Sequence, residues 1–155
     1  MQATVGVVAV VLTLAVATIA GFLLRRRSGT FRPPRDEAFT APAPAPLDPV
    51  LAGLGVTVGP PVTLLQFSSA FCAPCRTTRV LCADVARTVA GVRHVEVDAE
   101  SHLDAVRALG IWRTPTVLVL DAEARVVQRA TGAPTRAQLL GVVGALLPRP
   151  APSRG

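Results

Sequence analysis

No charged residue occurs from Ala3 to Leu24, and the triplet Arg25-Arg26-Arg27 closes that run. An apolar stretch of this kind predicts a helix of roughly the 20 residues needed to cross a bilayer. Beyond the run, the pattern breaks into shorter units. Val62 to Ser68 is apolar on both faces, which predicts a central strand. Thr78, Cys82, Val85, Ala86 and Val89 recur at helical spacing and predict a helix over Pro74 to Ala90. Val92 to Asp98 alternates after Gly91 and reads as a second strand. Ser101, three residues before Asp104, is placed to cap a short helix that Gly110 ends. Thr116 to Leu120 is a fully apolar strand, Arg125 to Ala130 pairs with it as a hairpin, and Gly132 breaks the latter. Thr135 to Leu147 is the closing helix, stopped by Pro148.

These units divide the chain into an anchor over 1–24, a basic and then Pro/Ala-rich linker over 25–49, a folded domain over 50–147 and a disordered tail over 148–155. A cleaved signal peptide is the alternative for the first segment, because Ala15-Val16-Ala17 offers small residues for cleavage. Against it, no positive side chain precedes the run, the run stays apolar to Leu24, and arginines close it. The linker contains Ala41-Pro42-Ala43-Pro44-Ala45-Pro46, which favours extended polyproline II geometry and a semi-rigid tether. Arg25, Arg26, Arg27, Arg32 and Arg35 all follow the apolar run, so the positive-inside rule puts the domain on the cytoplasmic side. An extracytoplasmic domain is the alternative.

The net charge of +6 comes from the flanks. Between Asp48 and Leu147, nine arginines face eight acids; residues 25–37 and the tail carry the remaining excess. A nearly neutral domain with basic flanks points to a membrane surface and away from nucleic acid. Three cysteines are too few for a disulfide scaffold and fit a redox pair plus one core thiol.

The pair is Cys72-Ala73-Pro74-Cys75, directly after the first strand and at the start of the first domain helix. There, unpaired backbone N–H groups and the helix dipole favour a thiolate on the first cysteine. The thiolate is the nucleophile of disulfide exchange. Pro74 suits the first helical turn, where its missing N–H is not needed. A zinc site shares the spacing, but the remaining candidate ligands, Cys82, His94 and His102, repeat no paired spacing. Cys82 is two helical turns beyond Cys75, too far to bond to it within an intact helix, and reads as a core thiol.

The order of elements and four local motifs resemble the thioredoxin family over about Val56 to Leu147. The motifs are Phe67-Ser68-Ser69-Ala70-Phe71-Cys72-Ala73-Pro74-Cys75-Arg76, then Val95-Glu96-Val97-Asp98, then Gly110-Ile111-Trp112-Arg113-Thr114-Pro115-Thr116, and finally Gly132-Ala133 with Thr135 and Leu139-Leu140. The resemblance implies an α/β thioredoxin-like fold, a central mixed sheet flanked by helices, behind the N-terminal transmembrane helix. It implies Cys72 as the attacking thiolate and Cys75 as the resolving thiol. It also implies a cis Thr114–Pro115 bond against the cysteines, with Trp112 and Arg113 bordering the substrate groove. Gln66 stands where thioredoxins commonly carry a buried Asp, and His94 where that Asp's Lys partner lies. Both are candidates for proton handling, although an amide transfers no proton at neutral pH. Ser68 and Ser69 replace bulky aromatics and leave a more polar approach to Cys72.

The expected activity is that of a membrane-tethered thiol–disulfide oxidoreductase acting on protein disulfides, as a reductase recharged by a thiol electron donor. It needs no metal or organic cofactor. One alternative is an extracytoplasmic thioredoxin-like protein of disulfide or cytochrome maturation. The other is a thioredoxin-fold module that binds without turnover.

Overall fold

In the computed structural model, residues 2–27, 31–32 and 48–147 are described. The expected tail over 148–155 and the Ala-Pro repeat at 41–46 lie outside them.

The apolar run forms helix α1, Gln2–Arg27, which continues through the arginine triplet. Its described side chains are Gly6, Val8 and those of residues 10–22, all exposed, and the apolar ones are distributed around the whole helix. Among the described residues no helix is long and apolar enough to cross a membrane.

Strand β1, Phe31–Arg32, lies inside the segment read as linker and pairs antiparallel with a later strand. Helix α2, Pro49–Gly53, is a short element that the hydrophobic pattern does not indicate. Asp48 caps it, its carboxylate accepting from the Val50 N–H at 2.8 Å, and Pro49 takes the first helical position. Strand β2, Val62–Ser68, leads to helix α3, Ala73–Thr88, and strand β3, Val92–Asp98. Helix α4, Leu103–Ala108, strands β4, Thr116–Leu120, and β5, Val126–Thr131, and helix α5, Arg136–Leu146, complete the chain.

Strands β5, β4, β2 and β3, in that order, make a four-stranded mixed sheet, and β1 extends it at the β5 edge. The β2–β3 pair is parallel, as a strand–helix–strand crossover requires, and the β2–β4 and β4–β5 pairs are antiparallel. β2 is central and every residue in it is buried, as its pattern predicts. Alternation then sorts its side chains. Val62 and Leu64 join Val117, Val119, Cys82, Val85, Leu139 and Val143 in a core between the sheet and helices α3 and α5. Leu65 and Phe67 join Leu118, Leu120, Leu51, Leu109 and Ile111 on the opposite face, under α2 and α4. Gln66 and Ser68 therefore point toward α3.

Several helix ends differ from expectation: α3 is Ala73–Thr88 where the spacing predicts 74–90, and the starts of α4 and α5 differ too. Ser101 does not cap α4: its hydroxyl donates to Asp98 at 2.5 Å, and His102 takes the N-cap position without a side-chain capping bond, its Nδ1 lying 3.0 Å from the Asp98 carbonyl. A strand-end carboxylate within reach outcompetes the capping geometry. Gly110 does end α4, at φ +59°, with Ile111 N–H bonding to Val106 C=O and Gly110 N–H to Arg107 C=O. α5 starts one residue later than expected because Thr135 is its N-cap, in a reciprocal capping box with Gln138.

Candidate functional site

The site is built where β2 hands over to α3. Cys72 is the N-cap of α3, and its sulfur accepts from the Cys75 N–H at 3.1 Å. The first turn leaves N–H groups without helical partners, so an anionic sulfur at this position is stabilised by them and by the helix dipole. Cys72 and Cys75 form a disulfide, with Cα atoms 5.2 Å apart. The pair is asymmetric: Cys72 is half-buried at the rim, whereas Cys75 is 1 % exposed.

Below the disulfide lies a polar network contributed by three elements. Gln66 is fully buried. Its Nε2 donates to the Cys75 carbonyl at 3.0 Å and to Ser68 Oγ at 2.8 Å, and its Oε1 lies 3.2 Å from His94 Nε2. Ser68 Oγ in turn donates to Glu96 Oε1 at 2.7 Å, and Arg79 Nε meets Glu96 Oε2 at 2.6 Å. β2 and β3 run in parallel register with Gln66 beside Glu96, so strand pairing brings these groups together.

An open cleft of about 410 Å³ leads to the disulfide, and Ser68, Cys72, Cys75, Arg79, Glu96 and Asp98 are among its walls. Burial holds the His94 imidazole below its ordinary pKa, with the Glu96 charge opposing and the Arg79 charge reinforcing this. The Ser101 hydroxyl and the Glu100 N–H hold the Asp98 carboxyl below the usual range. Cys82 is fully buried against the sheet, and burial, with the Glu96 charge second, pushes its thiol up to about 12.

Thr114–Pro115 is a cis peptide bond, as the resemblance implies. Thr114 Oγ1 lies 3.0 Å from Ser69 Oγ, which ties this loop to the turn that carries Cys72. Pro115 is buried. Arg113 and Trp112 are exposed just before it, Trp112 at 93 %. Of the residues singled out from the sequence, Gln66, His94 and Cys75 are thus in one connected network, and Thr114 joins the site's rim. Ser68 is 4 % exposed and turns its hydroxyl to Glu96, and with Ser69 it lines the cleft that reaches Cys72. Glu96 and Arg79 are the residues that sequence reasoning passed over. The alternation of β3 carries the signal for Glu96, since His94 and Glu96 share the face turned toward α3. Among the described residues no three His, Cys, Asp or Glu side chains are grouped to hold a metal ion.

The comparisons with known proteins agree with this geometry. The family model described as Thioredoxin matches residues 57–145. Among solved structures, thioredoxin F from spinach chloroplast is 25 % identical at a TM-score of 0.51, over 57 % of this chain and 78 % of that one. The Malassezia sympodialis thioredoxin is 22 % identical at a TM-score of 0.51, over 59 % of this chain and 80 % of that one. The Fasciola hepatica thioredoxin is 19 % identical at 0.52, over 57 % and 84 %. No curated protein sequence matches the chain.

Proposed function

Because this chain belongs to the thioredoxin family, we propose that it is a membrane-tethered thiol–disulfide oxidoreductase that exchanges disulfides with protein substrates through Cys72 and Cys75. The observation that carries this reading is the asymmetry of the pair, a rim sulfur at a helix N-terminus bonded to one that is 1 % exposed. The Cys72 thiolate attacks a substrate disulfide, one substrate sulfur leaves, and a mixed disulfide forms. Cys75 then attacks Cys72 Sγ, the second substrate sulfur leaves, and the Cys72–Cys75 disulfide results. Run in this direction the protein is a reductase, and a thiol electron donor returns the pair to its reduced form. Thr114 and Pro115, with Arg113 and Trp112 beside them, form the substrate-facing loop.

Replacing Cys75 by Ser tests the activity. The variant should accumulate mixed disulfides on Cys72 that a reductant releases. Noncovalent partners unchanged by the substitution would instead identify a binding module.

The tether is supported by the uncharged run Ala3 to Leu24 and by the exposed apolar side chains around α1. An uncharged run of this length is unfavourable in water, whereas lipid accommodates it. The five arginines that follow the run favour a cytoplasmic domain. Labelling of reduced Cys72 by a membrane-impermeant thiol reagent tests the side. Reaction only after permeabilisation supports the cytoplasmic placement; reaction in intact cells puts the domain, and its substrates, outside.

A further inference from the structure

Cys75 must lose a proton before it can attack, and its surroundings offer acceptors of unequal capacity. Gln66 touches the Cys75 carbonyl but is an amide and takes no proton at neutral pH. Its Nε2 donates to both Ser68 and Cys75, which leaves Oε1 to face His94. His94 therefore carries its hydrogen on Nε2 and has no free lone pair on the nitrogen aimed at the site. The Asp98 carboxylate is a weak base, held below the usual range by the Ser101 hydroxyl and the Glu100 N–H.

Glu96 differs from all three. Like Asp98 it shares the walls of the cleft with Cys72 and Cys75, but it is bonded into the network beneath the disulfide, one oxygen accepting from Ser68, which Gln66 ties to the Cys75 carbonyl, and the other meeting Arg79. A carboxylate accepts about four hydrogen bonds, so it keeps capacity toward the cleft. Its position is also held on both sides: Ser68 hydrogen-bonds it from β2 and Arg79 from α3. The groups that face it are Arg76, Arg79 and Cys82 of α3, His94 and Asp98 of its own strand, Gln66 and Ser68 of β2, and the dithiol itself.

Resting on the oxidoreductase reading above, we propose that Glu96 accepts the Cys75 proton across this cleft when the mixed disulfide is resolved. The Cys75 S–H bond breaks and its proton passes to the Glu96 carboxylate. The sulfur's electron pair forms the bond to Cys72 Sγ, while the bond from Cys72 Sγ to the substrate sulfur breaks. The substrate departs as a thiolate, two electrons having passed from the dithiol to the original substrate disulfide. Protonated Glu96 then returns its proton to the leaving thiolate or to solvent.

The test separates the two thiol steps. The full-length reduced protein in non-ionic detergent is mixed with 5,5′-dithiobis(2-nitrobenzoate), and the coloured thiolate is followed by stopped flow. Attack by Cys72 releases a first equivalent, and resolution by Cys75 releases a second. In Glu96→Gln the first phase should be unchanged, while the second slows at neutral pH by about a hundredfold or more, as loss of a positioned base does. The pH dependence of that second phase should also move in the alkaline direction. Glu96→Asp, which keeps a carboxylate, should fall between wild type and Gln in both respects, and it carries the test if the Gln variant does not fold. A second phase in Glu96→Gln with the wild-type rate and pH profile overturns the proposal. So does equal slowing of both phases, which marks a structural role. A wild-type protein that releases no second equivalent, or a Cys75→Ser variant that still releases it, overturns the oxidoreductase reading itself.

Discussion

Cys82 gives the chain an alkaline stability profile that can be worked out from one group. Its thiol is fully buried, and burial, followed by the Glu96 charge, pushes it from 9.0 to about 12. The sequence contains no tyrosine and no lysine, and Cys72 and Cys75 are tied in the disulfide. Arginine keeps its proton above about pH 12. In the oxidised protein, Cys82 is then the one side chain that titrates between about pH 9 and 12. Its folded pKa lies above its unfolded value, so the stability it contributes is fully present below about pH 9 and is lost as the pH climbs toward 12. At about 1.4 kcal/mol per unit, the loss is about 1 kcal/mol by pH 10, about 3 kcal/mol by pH 11 and about 4 kcal/mol in all. Urea unfolding of the oxidised full-length protein in detergent, followed by circular dichroism at about pH 8, 10 and 11, reads this slope directly. Cys82→Ala should start lower, by the cost of a small cavity, and then stay flat over the same range. An unchanged wild-type stability from pH 8 to 11, or an equal decline in the Ala variant, would refute the assignment.

Three further outcomes follow from the site and the sheet. The His94 pKa is depressed by burial, so its stabilising contribution is present above pH 6.5 and lost as the pH falls through the folded value. Nitrogen-detected NMR should show a neutral ring protonated at Nε2, and His94→Asn should reduce the acid sensitivity of unfolding. Gln66→Leu keeps the side-chain volume but strips Ser68, His94 and the Cys75 carbonyl of a partner, which should cost about 2–3 kcal/mol in denaturant unfolding. Thr63 is 1 % exposed and its hydroxyl has no hydrogen-bond partner among the described residues, so Thr63→Val should raise stability by about 1 kcal/mol.

The central strands β2 and β4 are legible because a strand buried on both faces leaves a continuous apolar run, and the edge strand β3 is legible from its alternation; all three occupy the ranges that their patterns predict. Cys72 and Cys75 are legible for a local reason, since spacing and position at a helix start are properties of one segment. What the sequence conceals is set by partners distant in the chain. Phe31–Arg32 is a strand because the β5 edge is open to it, and nothing in a Pro-rich neighbourhood announces that pairing. Ser101 meets every local requirement of a cap and is diverted by Asp98. Alternation puts Glu96 on one face with His94, but only the parallel register sets it beside Gln66 and Ser68.

That register bears on how the site divides its work. A carboxylate in the fully buried position of Gln66 would lose most of its hydration and need compensation by charge. An amide there needs only hydrogen bonds, and Ser68, Cys75 and His94 supply them. Gln66 thus fastens the end of β2 to the first turn of α3 without a net charge beneath the disulfide. The negative charge is displaced one strand outward to Glu96, where the cleft reaches it and Arg79 balances it. Mechanical support and proton exchange then fall to different side chains on neighbouring strands. Gln66→Leu should lower stability while leaving the pH profile of the second thiol phase in place, and Glu96→Gln should shift that profile at little cost in stability. A site in which one residue served both purposes could not show that separation.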